Sequence, residues 1–148
     1  MPKKTDKICS STWVLSGIFA LATLMGVLAF FKYVKTETSV KQGRVFLQER
    51  GKSLDLHGCV AELLAWSAGC EGIKSVCDAS APILMESCLK SQDRTEECVQ
   101  KKTLRMDSTF GYRDCAAISK TKAARKVCGN AYRAFDSYCK TRIIVGQK

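Results

Sequence analysis

The sequence predicts an all-α membrane protein, with one N-terminal transmembrane helix followed by disulfide-stapled helical hairpins. Three observations lead to this fold class: an uncharged apolar run near the N-terminus, eight of nine cysteines after that run, and three cysteine pairs spaced eleven residues apart. The 148 residues suffice for one domain beside the span. We divide the chain into a short tail (1–12), a transmembrane helix (13–33), a stalk (34–52) and a disulfide-stapled domain (53–148).

The apolar run has the length and the flanks of a transmembrane helix. Its 19 residues from Trp13 to Phe31 carry no charge. At about 1.5 Å per residue they cover roughly 28 Å, close to the hydrocarbon core of a bilayer. Lys7, Lys32 and Tyr33 lie where interfacial cations and aromatic residues are expected. A removed signal peptide would be shorter, and a buried core helix would not be apolar on every side, so we prefer a retained span.

Two features of the sequence predict opposite orientations of the span in the membrane. The tail carries three lysines, and the first twenty residues after the span carry five Lys or Arg, which by charge alone places the C-terminal side in the cytosol or matrix. An even number of cysteines in a domain of this size is instead typical of a disulfide framework in an oxidising compartment. We give the cysteines more weight. Cys9 lies alone on the other side, where a thiol would stay reduced or become acylated.

The cysteine spacing favours disulfides over metal ligation or redox catalysis. No C-x-x-C pair exists, and the chain has a single histidine, His57. Zinc and iron–sulfur sites usually take close cysteine pairs, and a thiol oxidoreductase needs neighbouring thiols. His57 lies near a predicted helix start with no nucleophile–base set around it. We therefore expect no enzyme activity, no catalytic residue, no metal and no cofactor.

The first cysteine set predicts a stapled hairpin. Cys59 and Cys70 are eleven residues apart, as are Cys77 and Cys88, so each pair lies on one helix face, three turns apart. Two such helices packed antiparallel favour nested bonds, Cys70 with Cys77 near the turn and Cys59 with Cys88 at the open end. Pro82 would kink the second helix or restart it behind an N-cap.

The second cysteine set is less regular. Cys98 and Cys115 are seventeen residues apart, whereas Cys128 and Cys139 are eleven apart. The nested pairing is then Cys115 with Cys128 and Cys98 with Cys139. Spacing alone leaves the other connectivities of eight cysteines open.

Local signals predict the remaining helix boundaries. Ser80 is the predicted N-cap if Pro82 restarts the second helix, and residues 93–96 resemble a capping arrangement for the next one. Residues 108–111 are expected to break that helix, and a last helix begins near Lys120. The predicted stalk either continues the membrane helix or forms a separate segment that ends near Gly51.

Helical hairpins stapled by two disulfides resemble the coiled-coil-helix–coiled-coil-helix proteins of the mitochondrial intermembrane space. The resemblance rests on Cys59, Cys70, Cys77 and Cys88, with the other four cysteines as a second hairpin, and it covers residues 53–140. It implies a non-catalytic accessory subunit of a respiratory-chain complex in the mitochondrial inner membrane, with its stapled helices facing the intermembrane space. The alternative is a type II membrane protein of the secretory pathway or of a viral envelope, whose helical ectodomain binds a partner protein.

Positive charge is concentrated in the last third of the chain. Residues 99–148 contain twelve Lys and Arg against three acidic residues, whereas residues 32–98 contain nine against ten. This excess favours contact with anionic lipid or with an acidic subunit of a membrane complex, although a solvated helix face would also account for it. No nucleic-acid motif accompanies it, so we expect no nucleic-acid partner. The candidate contact residues are Lys101, Lys102, Arg105, Lys120, Lys122, Arg125, Lys126 and Arg133.

Overall fold

The computed structural model describes residues 8–102, 107 and 109–145, with the backbone alone at residues 8–12 and 143–145. Its helices and disulfides confirm the predicted all-α, disulfide-stapled fold, and the described residues contain no strand. A short 3₁₀ turn, Gly51–Ser53, follows the first helix. The α-helices are α1 (Ile8–Arg50), α2 (Leu56–Gly69), α3 (Lys74–Ala79), α4 (Ala81–Leu89), α5 (Thr95–Gln100), α6 (Tyr112–Ile118) and α7 (Lys122–Val145).

Helix α1 is one uninterrupted helix of 43 residues with two very different environments. Every residue from 13 to 35 is exposed, and we call this segment the exposed half. Residues 36–50 form the packed half, where Thr36, Gly43 and Leu47 are buried against the rest of the domain. Of the two alternatives for the predicted stalk, the structure therefore shows a continuation of the first helix.

The exposed half is apolar enough to cross a membrane. It is the one candidate span among the described residues, with a mean hydropathy of 2.3 over its best window and no part of that window buried.

The core lies where the packed half of α1 meets α2, α4 and α7. Helix α4 lies between α1 and α7, and α2 contacts all three. Leu47 of α1, Leu63 of α2, Leu84 of α4 and Phe135 of α7 are all completely buried in one cluster. Full burial of such side chains stabilises the fold by about 1.5–3 kcal/mol each.

The second arm of the first hairpin is split into α3 and α4. Pro82 lies in the first turn of α4, where its missing N–H and fixed φ angle are tolerated, so the chain restarts a helix there rather than kinking one. Ser80 occupies the predicted N-cap position of α4, but its side chain makes no capping hydrogen bond. Its backbone is helical, with φ −80° and ψ −7°, and its hydroxyl donates to the Val76 carbonyl at 2.9 Å. The side chain therefore points back to α3.

The boundaries of α5 also differ from the prediction. Asp93 accepts hydrogen bonds from the backbone N–H and the hydroxyl of Thr95, at 3.1 and 2.7 Å. These bonds close a turn immediately before α5, whose N-cap position is occupied by Arg94 and not by Asp93. Helix α5 ends at Gln100, well before residues 108–111. Gly111 has a φ of 74°, and a Cβ there would collide with the Tyr132 ring, so glycine is required at the start of α6.

Candidate functional site

Four disulfides join the eight cysteines that follow the span, in the nested order favoured by their spacing. In the first set, one bond ties α2 to α4 and the other closes the turn between α2 and α3. In the second set, the arm opposite α7 is divided into α5 and α6, and one disulfide joins each of these helices to α7. The bonds are Cys59–Cys88, Cys70–Cys77, Cys98–Cys139 and Cys115–Cys128.

The disulfides belong to the core rather than to the surface. Seven of the eight bonded cysteines are buried, and only Cys70 is partly exposed. Each bond limits the unfolded chain and is expected to contribute about 2–4 kcal/mol. A small domain fastened in this way holds a fixed shape, which suits it to positioning other molecules.

The junction between α1 and the stapled domain is the most highly organised polar region of the structure. At its membrane-proximal end, Thr36 is 1% exposed. Its hydroxyl donates to the Lys32 carbonyl at 2.7 Å and accepts the Ile73 N–H at 2.8 Å. Gly72, with a φ of 150°, lets the backbone pass directly against Thr36, where a side chain would not fit. Thr36 therefore links α1 to Ile73, the residue immediately before α3.

An ion pair lies on the outside of the same contact. Lys35 Nζ is 2.7 Å from a carboxylate oxygen of Glu71, and both side chains are largely exposed. The hydrogen bond from Lys35 lowers the pKa of the Glu71 carboxyl below its ordinary value. Ser39 adds a hydrogen bond of 3.3 Å to the Glu71 carbonyl. The pair marks the level at which the packed half begins.

The middle of the junction is a close helix–helix contact. Gly43 of α1 is covered by the ring of Trp66 from α2 and by Leu84 from α4. A Cβ at Gly43 would lie 2.7 Å from Trp66 Cε2 and 3.0 Å from a Leu84 methyl carbon, which is closer than ordinary contact. The glycine therefore sets how near α1 approaches its two neighbours.

A buried arginine closes the distal end of the junction. Arg94 is 3% exposed, and its guanidinium donates to the carbonyls of Gly51 and Leu54 at 3.3 and 2.7 Å. It also pairs with Glu97 at 2.9 Å, and the other oxygen of Glu97 accepts the Leu56 N–H at 3.0 Å. This Arg94–Glu97 pair joins the end of α1, the start of α2 and α5 in a single network. Removing either partner would leave a buried charge without its counterion.

Sequence reasoning missed the roles of Arg94 and Thr36. The i, i+3 spacing of Arg94 and Glu97 was a weak signal, but the same spacing is common on solvated helices. Glu97 lies in the first turn of α5, where an acidic residue is favourable to any helix and gives no sign of a distant partner. Its contact with Leu56 crosses 41 positions of sequence, which no local pattern reveals.

A second polar cluster joins the only histidine to a buried tyrosine. Tyr132 is 2% exposed, and its hydroxyl donates to Asp114 at 2.8 Å and lies 3.2 Å from His57 Nδ1. Burial, together with the hydrogen bond to Asp114, raises the pKa of the Tyr132 phenol above its usual range. His57 is exposed in the first turn of α2. A phenol that stays protonated can fasten α7 to α2 and α6, and it is a poor proton donor at neutral pH.

Two of the predicted basic contact residues, Lys101 and Arg133, line different depressions of the domain. Lys101 lines a shallow depression with Leu54 and Asp55, beyond the distal end of α1. Arg133 lies further along α7, beside α4. Four more of the predicted basic residues are exposed, just before and within the first turns of α7: Lys120, Lys122, Arg125 and Lys126. Lys102 is also exposed, and Arg105 lies outside the described residues.

Comparisons with known proteins do not indicate a function for this chain. No protein-family model, curated protein or solved structure matches the chain. Within the described part of the chain, no three His, Cys, Asp or Glu side chains are arranged to hold a metal ion. The resemblance to the coiled-coil-helix–coiled-coil-helix family stays a prediction.

Proposed function

We propose that the protein is a single-span membrane protein whose stapled helical domain is a non-catalytic structural subunit of a membrane complex. The observation that carries this proposal is the course of α1. The helix is apolar and exposed from residue 13 to 35, and the same helix enters the domain core from Thr36 onward. An exposed apolar surface of this length needs lipid or other membrane helices to cover it.

The junction supports a rigid mounting rather than a tethered domain. Thr36, Gly43 and the Arg94–Glu97 pair hold the packed half at its beginning, middle and end. No loop separates the span from the domain, so the domain keeps a fixed orientation relative to the span. A fixed orientation is useful to a subunit that braces others, and it offers no advantage to a freely mobile binding domain.

The disulfides support an oxidising compartment for the stapled domain. Four buried bonds favour an oxidising space on the side of the domain. The resemblance of the cysteine pattern favours the mitochondrial inner membrane, with the domain in the intermembrane space and the protein serving as a respiratory-chain accessory subunit. The secretory pathway and viral envelopes are oxidising as well, so a type II membrane protein that binds a partner is the second candidate.

Removal of the Cys59–Cys88 bond tests the structural role. This bond closes a loop with a sequence separation of 29 residues, so its loss is expected to cost about 3–4 kcal/mol. We expect the double variant Cys59→Ser, Cys88→Ser to lower the steady-state abundance of the native complex, measured by native electrophoresis of membranes dissolved in mild detergent. The matched control is Cys9→Ser, which removes a thiol outside the stapled domain.

Two results would contradict the proposal. The wild-type chain could migrate as a free monomer, or the complex could keep its abundance when the Cys59–Cys88 bond is lost. Membrane fractionation of the same cells distinguishes the two candidates, because recovery with mitochondrial inner membranes supports the first and recovery with endoplasmic reticulum, plasma membrane or virions supports the second.

A further inference from the structure

A groove of about 520 Å³ runs between α4 and α7 on the side of the domain away from α1. We call it the α4–α7 groove. Its apolar wall is formed by Pro82 and Ile83 of α4 and by Ala134 and Tyr138 of α7. Ile83 is 51% exposed, which is high for an isoleucine within a folded domain. The groove therefore offers an unfilled apolar surface.

Tyr138 belongs to the apolar wall of the groove. The residue is 7% exposed, and its hydroxyl is enclosed, with almost no accessible surface and no hydrogen-bond partner among the described residues. A ligand in the groove would therefore contact the ring of Tyr138 and not its hydroxyl.

The charges along the groove favour an acidic ligand. Its lining includes three cations and one carboxylate, and that carboxylate, Glu86, is already paired with Lys90 at 2.6 Å. The Arg142 guanidinium lies 5.4 Å above the Tyr138 ring. Arg133 bonds only to neutral oxygens of its own helix. Neither guanidinium forms an ion pair with a carboxylate of the described residues, but Arg142 lies close enough to Asp93 to help lower the pKa of that carboxyl. Both guanidinium groups can therefore still bind a carboxylate from outside.

The position of α4 favours a protein over a lipid headgroup. Leu84 of α4 lies against Gly43, and Cys88 lies against Gly51. At about 1.5 Å per residue, these two glycines are roughly 15 and 27 Å beyond Tyr33, the last residue of the predicted span. The headgroup layer is only about 5–8 Å thick on each side. Even with a helix tilt of about 40°, α4 stays beyond that layer.

We propose that the α4–α7 groove binds an acidic amphipathic segment of a partner protein. Apolar side chains of the segment pack on Ile83 and Tyr138, and its carboxylates bind Arg133 and Arg142. This inference rests on the proposed structural function and deepens it, because it states which surface of the domain holds a neighbouring subunit and which chemistry that neighbour presents.

Photo-crosslinking in native membranes tests the groove with the full chain. A photoreactive phenylalanine analogue replaces Ile83 in one variant and Val99 in the control, since Val99 is an aliphatic residue on α5 that is 59% exposed and lies outside the groove. We expect Ile83, and not Val99, to capture one protein segment in which Asp or Glu alternates with apolar residues, as mapped by mass spectrometry.

Charge reversal then tests the recognition. The double variant Arg133→Glu, Arg142→Glu should reduce the Ile83 adduct about five-fold or more. The double variant Arg44→Glu, Arg113→Glu changes the net charge equally at two exposed residues outside the groove, and should leave the adduct unchanged. A non-reducing peptide map showing all four disulfides verifies that each variant is folded.

Several results would overturn the inference. They are an adduct with lipid, with a second copy of this chain or with a segment lacking acidic residues, no adduct at all, or equal loss in both charge-reversal variants. If the native complex is present while the adduct fails these criteria, the groove assignment is wrong and the structural role stands. If the chain is also a free monomer, both are wrong.

Discussion

The two halves of α1 share one helix and differ in what surrounds them. Nothing comes within 4 Å of a Cβ built on Gly17 or Gly26 in the exposed half, whereas Gly43 in the packed half is enclosed by two neighbouring helices. Thr23 donates only to a carbonyl of its own helix, whereas Thr36 also accepts a hydrogen bond from the start of α3. The packed half is thus held by tertiary contacts, and the exposed half depends on contacts that a membrane would supply.

Matched glycine variants should show the largest difference between the two halves. Gly43→Ala places a methyl group against the Trp66 ring and is expected to destabilise the domain by about 1–3 kcal/mol through overpacking. Gly26→Ala meets no neighbour and should be neutral or slightly stabilising, because alanine is the better helix former. Thermal unfolding of the full chain in detergent, followed by circular dichroism, gives both values. Equal midpoints would remove the distinction between the halves.

Matched threonine variants should show a smaller effect. Thr36→Val leaves the Ile73 N–H without its acceptor and is expected to cost about 1–2 kcal/mol. Thr36→Ser keeps the hydroxyl and should recover most of that loss. Thr23→Val removes only a bond to the Phe19 carbonyl within the exposed half, and should leave the unfolding midpoint unchanged. A Thr36→Ser variant as unstable as Thr36→Val would show that packing, not the hydrogen bond, makes the contact.

The smallest effect is expected at the ion pair between Lys35 and Glu71. The pKa of Glu71 is lowered from 4.5 in the folded chain, so its contribution to stability is present above pH 4.5 and is lost as the pH falls through the lower folded value. The difference in midpoint between wild type and Glu71→Gln should therefore be small at pH 7 and smaller still at pH 3. Glu37→Gln, which breaks an ion pair within α1, is the control. A difference that grows on acidification would refute this assignment.

Sequence periodicity predicted the parts of the fold that repeat along a helix. Cys59 and Cys70 lie three turns apart, and that spacing was enough to favour their partners across the hairpin. Interactions between distant segments gave no such signal. The bond from Thr36 to Ile73 spans 37 positions, and an arginine that satisfies carbonyls at the end of another helix looks like any surface arginine in the sequence.

The packed half also shows why the sequence left open whether the predicted stalk continues the membrane helix. Its sequence is polar, with only a few apolar residues, because most of its surface faces solvent and a narrow stripe through Thr36, Gly43 and Leu47 meets the domain. Two of these three residues are not apolar side chains, so a hydrophobicity pattern could not reveal the stripe. Close approach at a glycine and a shared hydroxyl replace the usual apolar contact.

In the proposed membrane arrangement, the unbroken course of α1 makes the domain move with the tilt of the span, about a pivot at the point where the span leaves the bilayer. Gly51 lies roughly 27 Å past the predicted span, so a change in tilt of about 20° would sweep the far end of the domain sideways by roughly 9 Å. Bilayer thickness sets the tilt of a spanning helix. A thinner or thicker membrane would thus be converted, without any hinge, into a displacement of whatever the domain holds.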